Sequence, residues 1–319
     1  MAQQTRTLRG NVAEQPLATE ESRKQAQLRG QLSSTQGFYQ RAWRRFRKNQ
    51  VSMIALGVAV LIVLFALGAG LISEYVTGVS YAQGDLRNKL QGPLIEGHPL
   101  GTDANGRDLL TRLAYGGRIS LLVASLATVA ILLIGGAVGA IAGFFGGAID
   151  SFLMRLVDVM LSLPELAILL LISAIYTPGP VGLALIIAAT GWTGFARLIR
   201  GEVLSLRNRD YVDAARVLGA SNGRIMLRHL VPNVIPTVVI WSSLIVPSLI
   251  LTEAALSFLG FGVQIPTPSW GNMLQDATAF YTRSAWNVFL PGFAIFLTVL
   301  AINLVGNGLR DALDPRLTD

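Results

Sequence analysis

Several stretches of this chain run for more than twenty residues without a charge, and three of them are strongly apolar. Residues 51–72, 119–141 and 284–309 contain no Asp, Glu, Lys or Arg. At a rise of about 1.5 Å per residue, a helix of about 22 residues is roughly 33 Å long, the thickness of a bilayer core. A water-soluble helix of this length needs a charged face, and these have none. Only 14% of the 319 residues are charged and 52% are apolar; soluble domains carry about 25% charged residues. Lipid cannot hydrogen-bond to a free backbone, so the simplest spanning element is a helix. The fold class expected is an all-α polytopic membrane protein.

Weaker apolar runs complete the set. Residues 156–176 form a third span despite Asp158, Pro164 and Glu165. The fourth covers 181–199 and the fifth about 233–253, between the turn signals TPGP and FGVQIPTP. The first run begins after fifty residues, too late for a signal peptide, and is expected to be retained. Glycines at 135, 136, 139 and 143 suit close helix packing along the second span. GFFGGAIDSFLMR, residues 143–155, is expected to be a tight turn, and residues 105–115 a short surface helix.

Charge sets the orientation. The first fifty residues hold ten Lys or Arg against three acids, and residues 197–229 hold seven Arg against three acids. The 73–118 loop balances five basic with five acidic residues, and 260–287 has one of each. Six transmembrane helices with both termini cytoplasmic place every basic segment inside. The expected organisation is then a cytoplasmic tail at 1–50, the first transmembrane helix at 51–72 and an extracytoplasmic loop at 73–118. A five-helix core follows at 119–309, with a cytoplasmic segment at 201–232, and a cytoplasmic tail closes the chain at 310–319. Residues 1–36 are polar, without apolar period, and suit a loose tail. FYQRAWRRFRKNQ, residues 38–50, interleaves Arg and Lys with Phe38, Tyr39, Trp43 and Phe46. It suits the inner membrane surface, or serves only to anchor the first span.

Several chemistries lack their residues. There is no cysteine, hence no thiol nucleophile, disulfide or Cys-ligated metal. His98 and His229 fall on opposite sides of the membrane in this topology, so a His-based metal site or acid–base pair has no support. GxxxxGK[ST], HExxH and GxSxG are absent. GTDANGRD lacks the spacing of a calcium loop and suits a turn, in which Arg107 and Asp108 pair. The net charge of +7 is explained by topology and anionic lipid rather than by nucleic acid.

One cytoplasmic segment is unusual: YVDAARVLGASNGRIMLRHLVPN, residues 211–233. Asn208 or Asp210 can cap a helix start. Tyr211, Ala214, Ala215 and Leu218 lie at i, i+3, i+4 and i+7, one apolar face made flat by alanine. Asp213 favours the helix N-terminus. Gly219 can adopt the left-handed conformation that ends a helix, Ser221 or Asn222 can cap the next, and Pro232 can start the fifth span. So short a helix is unstable alone in water. It rests on lipid or its own bundle, or it docks to another protein; the residues alone leave both open.

Here the chain resembles the permease subunits of ATP-binding-cassette importers, in the dipeptide, oligopeptide and nickel group, and most of all the dipeptide permease C type. The family mark is EAA, three residues, Gly, nine residues, then an Ile-x-Leu-Pro-like end. Asp213-Ala214-Ala215, Gly219 and His229-Leu230-Val231-Pro232 match it, with Asp for Glu and Val for Leu. LGTDANGRDLLTRLAYGGRISL, EAALSFLGFGVQIPTPSWGNML and LTVLAINLVGNGLRDALDPR also have the family's look, in order over residues 51–317. The resemblance implies a type I importer permease fold and a non-catalytic role. It implies a heterodimer with a second homologous permease, two cytoplasmic ATPases that hold ATP and Mg, and an extracytoplasmic solute-binding protein. No cofactor is expected on this chain. Tyr211, Asp213, Ala214, Ala215, Leu218 and Gly219 are the expected ATPase contact. The solute expected is a short peptide; nickel complexes and oligosaccharides are alternatives. A secondary transporter is the other alternative, although it calls for an internal repeat that the chain does not display.

Five further residues stand out. Asp158 and Glu165, seven apart on one helix, place two carboxylates on one face; Glu165 suits the solute path and Asp158 a structural pair. Glu253, at the end of the fifth span, suits a gate or a cap. Trp270 and Asn272, in the loop after Pro268, suit contact with the binding protein.

Overall fold

A computed structural model describes residue 37, residues 40–95 and residues 97–313. The expected loose tail at 1–36, the aromatic residues Phe38 and Tyr39, and residues 314–319 lie outside the described residues.

The fold is helical, and among the described residues five helices are long and apolar enough to cross a membrane. A helical stretch at 40–48 leads into α1, Gln50–Leu67, whose first turn is capped by the Asn49 side chain accepting from Ser52 N at 3.2 Å. After a polar segment with isolated β-bridges, α2 runs unbroken through Leu109–Phe145. Its N-cap is Asp108, which accepts from Thr111 N at 2.7 Å. The helix thus begins ten residues before the uncharged run, and residues 109–115 are its first turns rather than a separate surface helix. Thirty-seven residues make about 55 Å, more than the hydrocarbon needs, so one end projects beyond it.

The 143–155 stretch is not a turn throughout. Only Gly146 (φ 68°) and Gly147 (φ 57°) reverse the chain, and α3 is already under way at Gly147–Ser162. The third span is also corrected. α3 and α4, Glu165–Ile175, meet at 82°. Pro164 has no N–H to continue the ladder and holds Leu163 extended, at φ −93° and ψ 140°. Together the bent pair is a sixth candidate crossing.

α5, Pro180–Leu206, starts on a proline whose missing N–H is harmless there. α6 (Asp210–Val217) and α7 (Asn222–Ile225) follow, and a π-helical turn at Met226–Leu230 carries the chain into α8, Val231–Phe258. α9, Trp270–Thr278, and α10, Ala285–Leu313, complete the fold.

The main core lies between α2 and α5, the most extensively packed pair. Val123, Ala127 and Ile131 interlock with Ala184, Ile187, Ala188 and Phe195, all at most 1% exposed. Farther along, glycine brings the backbones together. A Cβ built at Gly135 lies 2.6 Å from Trp192 O, one at Gly139 lies 2.4 Å from Ala196 O, and one at Gly143 lies 2.8 Å from Arg200 O. Gly136 faces only a Phe195 ring atom, at 3.6 Å. At the end of this seam next to Gly143, Arg207 Nη1 donates to Gly143 O (3.1 Å) and Phe144 O (3.0 Å). Asp150 is held there by both Arg200 donors, Nη2 at 2.6 Å. A smaller core forms where Leu109, Leu113, Ala254, Trp270, Met273 and Leu290 meet, under the 73–108 segment. Elsewhere large apolar side chains face outward, including Leu61, Leu64 and Leu67 on α1 and Leu171 and Ile175 on α4. Lipid or another subunit can cover these; water does so at a cost.

Candidate functional site

α6 is held to the bundle by one side. Val212 is fully buried in the main core and Ala215 packs against it. Tyr211, Ala214, Val217 and Leu218 point away, with Val217 and Leu218 each 87% exposed. The apolar face expected from spacing is therefore rotated: Ala215 belongs to the inner side, and Val217, which spacing overlooked, belongs to the outer one. Arg209 is the N-cap and makes no side-chain cap, so neither Asn208 nor Asp210 caps this helix. Asp210 and Asp213 occupy its first turn, where carboxylates oppose the positive end of the helix dipole. Asp213 also accepts from Arg216 at 2.9 Å. Gly219 has φ +79°, with Ala220 N donating to Ala215 O at 3.0 Å, and the helix stops there as expected. Ser221 caps the next turn by accepting from Arg224 N, and Pro232 lies in the first turn of α8. The outcome is an outward-directed knob in which two bare aliphatic side chains, Val217 and Leu218, close an eight-residue helix.

The membrane carboxylates are kept apart. The kink at Pro164 removes the shared face on which Asp158 and Glu165 were expected. Asp158 pairs with Arg197 of α5, a structural pair between helices. Glu165 is exposed at the first position of α4, its Oε1 3.4 Å from the Thr190 hydroxyl of α5. An exposed carboxylate at membrane depth requires water or a partner, because hydrocarbon supplies neither.

Glu253, expected at a gate or a cap, lies inside the bundle. It is fully buried, five residues before the end of α8, and its Oε1 accepts from Ser257 Oγ at 2.7 Å. The loop behind it folds back tightly: a Cβ at Gly271 lies 2.4 Å from Ala254 O. Trp270 and Asn272, expected at a docking surface, are likewise buried, at 1% and 3%. Trp270 Nε1 donates to Leu113 O (3.0 Å), and its ring lies so close to α2 that a Cβ at Gly117 is 2.6 Å from Cζ2. Asn272 donates to Val263 O (3.0 Å) and Thr267 O (2.9 Å) and forms a capping box with Ser269. Their side chains hold the 259–269 loop to the bundle. Ser269→Ala removes one half of that box and is expected to cost about 1 kcal/mol, read as a lower Tm of the solubilised protein with Asn272 contacts intact.

The 98–112 segment is tied down by charges in an order that sequence did not reveal. Arg107 pairs with Asp103 (2.6 Å) and Asp276 (3.0 Å), not with Asp108. Asp108 is held by His98 Nδ1 at 2.9 Å. Arg112, 1% exposed, lies 3.4 Å from Asp103 and 3.5 Å from Asp276. Among the described residues no group of three or more His, Asp or Glu is arranged to hold a metal.

Comparison with known proteins agrees over most of the length. Residues 135–319 match the family described as the binding-protein-dependent transport system inner membrane component. Residues 37–93 match the N-terminal TM domain of oligopeptide transport permease C. The dipeptide transport system permease protein DppC of Alkalihalophilus pseudofirmus is 39% identical over 279 residues, covering 88% of this chain and 90% of the relative. The oligopeptide transport system permease protein OppC of Bacillus subtilis is 40% identical over 276 residues, 86% of this chain and 89% of the relative. The di/tripeptide transport system permease protein DppC of Pseudomonas aeruginosa is 41% identical over 285 residues, 86% and 91% of the two chains.

Proposed function

The chain belongs to the DppC/OppC family of peptide-importer permeases, and from that membership we propose how it works within a complex. It is a multi-pass inner-membrane transport subunit, without catalysis of its own. Its solute is a short peptide, as the names of its relatives suggest for them. It pairs with a second, homologous permease to enclose the path. An extracytoplasmic binding protein delivers the peptide, and two cytoplasmic ATPases bind ATP with Mg and power the cycle.

The observation that carries this reading is the knob at α6. Leu218 and Val217 are 87% exposed on a segment that the charge distribution puts in the cytoplasm. An eight-residue helix with bare aliphatic side chains suits insertion into a partner's cleft, where burial of each contributes about 1.5–3 kcal/mol. Tyr211, Asp213, Ala214, Leu218 and Gly219 are the contact; Ala215 holds the helix in place from behind. A nucleotide-driven approach of the two ATPases then moves each knob and rotates the permease halves between inward and outward openings.

Glu165 borders the path. Its exposure beside the kink gives it access to a wet interior, and its charge suits the ammonium end of a peptide. Reconstitution tests both statements. The four-subunit membrane complex in liposomes is expected to take up peptide only with ATP and binding protein, and this chain alone not at all. Glu165→Gln is expected to lower uptake on the order of tenfold, the loss of one charge-assisted hydrogen bond, with assembly unchanged. Uptake by the isolated chain overturns the first statement. Full uptake by Glu165→Gln overturns only the second.

A further inference from the structure

Glu253 has no task in the transport reading, yet its surroundings are closely built. It is fully buried, and among the described residues no Arg, Lys or His pairs with it. Three serines, each at most 1% exposed, face its carboxyl instead: Ser257 of α8, Ser120 of α2 and Ser269, the N-cap of α9. Each serine oxygen accepts a backbone N–H of the 263–272 segment. Val263 N donates to Ser257 at 3.2 Å, Trp270 N to Ser120 at 3.3 Å and Asn272 N to Ser269 at 3.2 Å. A hydroxyl then still has one O–H to give. Ser257 gives its own to Glu253 Oε1 at 2.7 Å. The hydroxyls of Ser120 and Ser269 face the same carboxyl, whose Oε2 is buried and otherwise without a hydrogen bond. Three relays, each running from a backbone amide through a serine toward one carboxyl, converge from α2, α8 and α9, and in a dry site such a network is coupled. Glycine lets the loop come this close: a Cβ at Gly262 would lie 2.1 Å from Ser257 Oγ, and one at Gly271 2.7 Å from Ser257 Cβ.

The loop held in this way carries an exposed strip. Phe261 (36%), Gln264, Ile265 (64%) and Pro266 face outward. Beside them lies an open cleft of about 470 Å³ whose lining includes Gln264, Gln275 and Asp276. An apolar centre with a polar margin is the make-up of a protein interface. The balanced charge of residues 260–287 puts the strip on the extracytoplasmic side. The family that the chain matches is binding-protein-dependent, so the partner that fits this side is the solute-binding protein.

We infer that Glu253 is a positioning residue. Through Ser120, Ser257 and Ser269 it holds the 261–272 segment in one arrangement, and so presents Phe261, Gln264 and Ile265 preformed to the extracytoplasmic binding protein. A preformed loop binds more tightly because its ordering is not charged against the complex. The inference rests on the importer reading above.

The test uses the reconstituted four-subunit complex with purified binding protein. It reads the amount of assembled complex, the binding-protein concentration at half-maximal peptide uptake, and the uptake rate at saturation. Glu253→Gln keeps the shape of the side chain but replaces one acceptor oxygen by an N–H donor, so at least one relay loses its end. It is expected to raise the half-saturating concentration about tenfold, the equivalent of one buried hydrogen bond, with little change in the rate at saturation. Ser120→Ala is expected to act in the same direction, and together with Glu253→Gln to give less than the product of the two effects, because both cut one network. Ile265→Asp alters the strip itself and is expected to raise the half-saturating concentration with normal assembly. An unchanged half-saturating concentration in Glu253→Gln or in Ile265→Asp overturns the inference. So does a slower saturated rate at unchanged half-saturation, which makes the carboxyl part of the solute path. Partial loss of complex, with the remainder responding to binding protein as the wild type does, makes the cluster purely structural and also overturns it. If Glu253→Gln yields no complex at all, Ser120→Ala decides by the same measures. Wild-type uptake that needs no binding protein overturns the importer reading as well, and is seen without any variant.

Discussion

Gly139→Leu is expected to prevent this protein from accumulating in the membrane, whereas Gly136→Ala, three residues earlier, is expected to pass almost unnoticed. Both glycines lie on α2, and both are small in a helix whose mean composition gives no reason to treat them differently. Their surroundings do. A Cβ at Gly139 lies 2.4 Å from Ala196 O and 2.9 Å from Ile199 Cβ. The first is a backbone atom in the middle of α5 and cannot rotate aside, so the two helices must separate. Overpacking ordinarily costs about 1–3 kcal/mol. Here four heavy atoms must enter a backbone contact, and the loss extends to the interlocked Val123, Ile131 and Phe195 layers, so the cost exceeds that range. Domains are stable by only about 5–15 kcal/mol. Gly136 meets a Phe195 ring atom at 3.6 Å, ordinary contact, and alanine is the better helix former. Quantitative blotting of membranes and size-exclusion of the solubilised protein check the pair. Normal, monodisperse Gly139→Leu protein contradicts the α2–α5 seam as the centre of the fold.

The second large effect is functional and leaves the fold intact. Leu218→Asp and Ala214→Arg alter side chains that touch nothing in this chain's core. They are expected to reduce ATPase retention on the purified permease pair by roughly 30-fold, the equivalent of about 2 kcal/mol for a central contact. Transport should fall below detection while the permease level stays normal. Val212→Asp gives the contrasting result, because that residue is fully buried in the main core. It should lower the amount of folded permease itself. Gly219→Ala is intermediate. At φ +79° an L-residue is strained by about 1–2 kcal/mol, so the knob should fray and coupling weaken in proportion. Retention of ATPases and transport by both Leu218→Asp and Ala214→Arg removes α6 from the coupling role.

These two predictions also show what sequence could and could not convey. The uncharged runs announced their helices because nothing except lipid tolerates them at that length. The glycines at 135, 139 and 143 announced close packing by type and spacing, but their fellow at 136 differed only in direction, which spacing resolves coarsely. The third span was misjudged for a related reason. Pro164 was visible, yet apolar residues continue on both sides of it, and hydropathy is blind to an 82° change of course. At α6 the error was a rotation. Alanine carries so little hydrophobic contrast that faces centred on Ala214 and on Ala215 look alike, and Val212 decides between them only once it is seen buried. Trp270 and Asn272 misled because a polar, proline-rich loop usually lies on the surface. Here the loop is pinned by its own Asn272 amide, and Trp270 closes the gap left by Gly116 and Gly117 of α2.

Arg207 has one more implication. Its guanidinium clasps the carbonyls of Gly143 and Phe144, and only Arg207, Asn208 and Arg209 separate α5 from α6. The stub therefore has no slack behind it. A displacement imposed at its tip reaches the bilayer as a torque on two welded helices, like a short crank keyed to its shaft, and little of the stroke is lost to bending on the way.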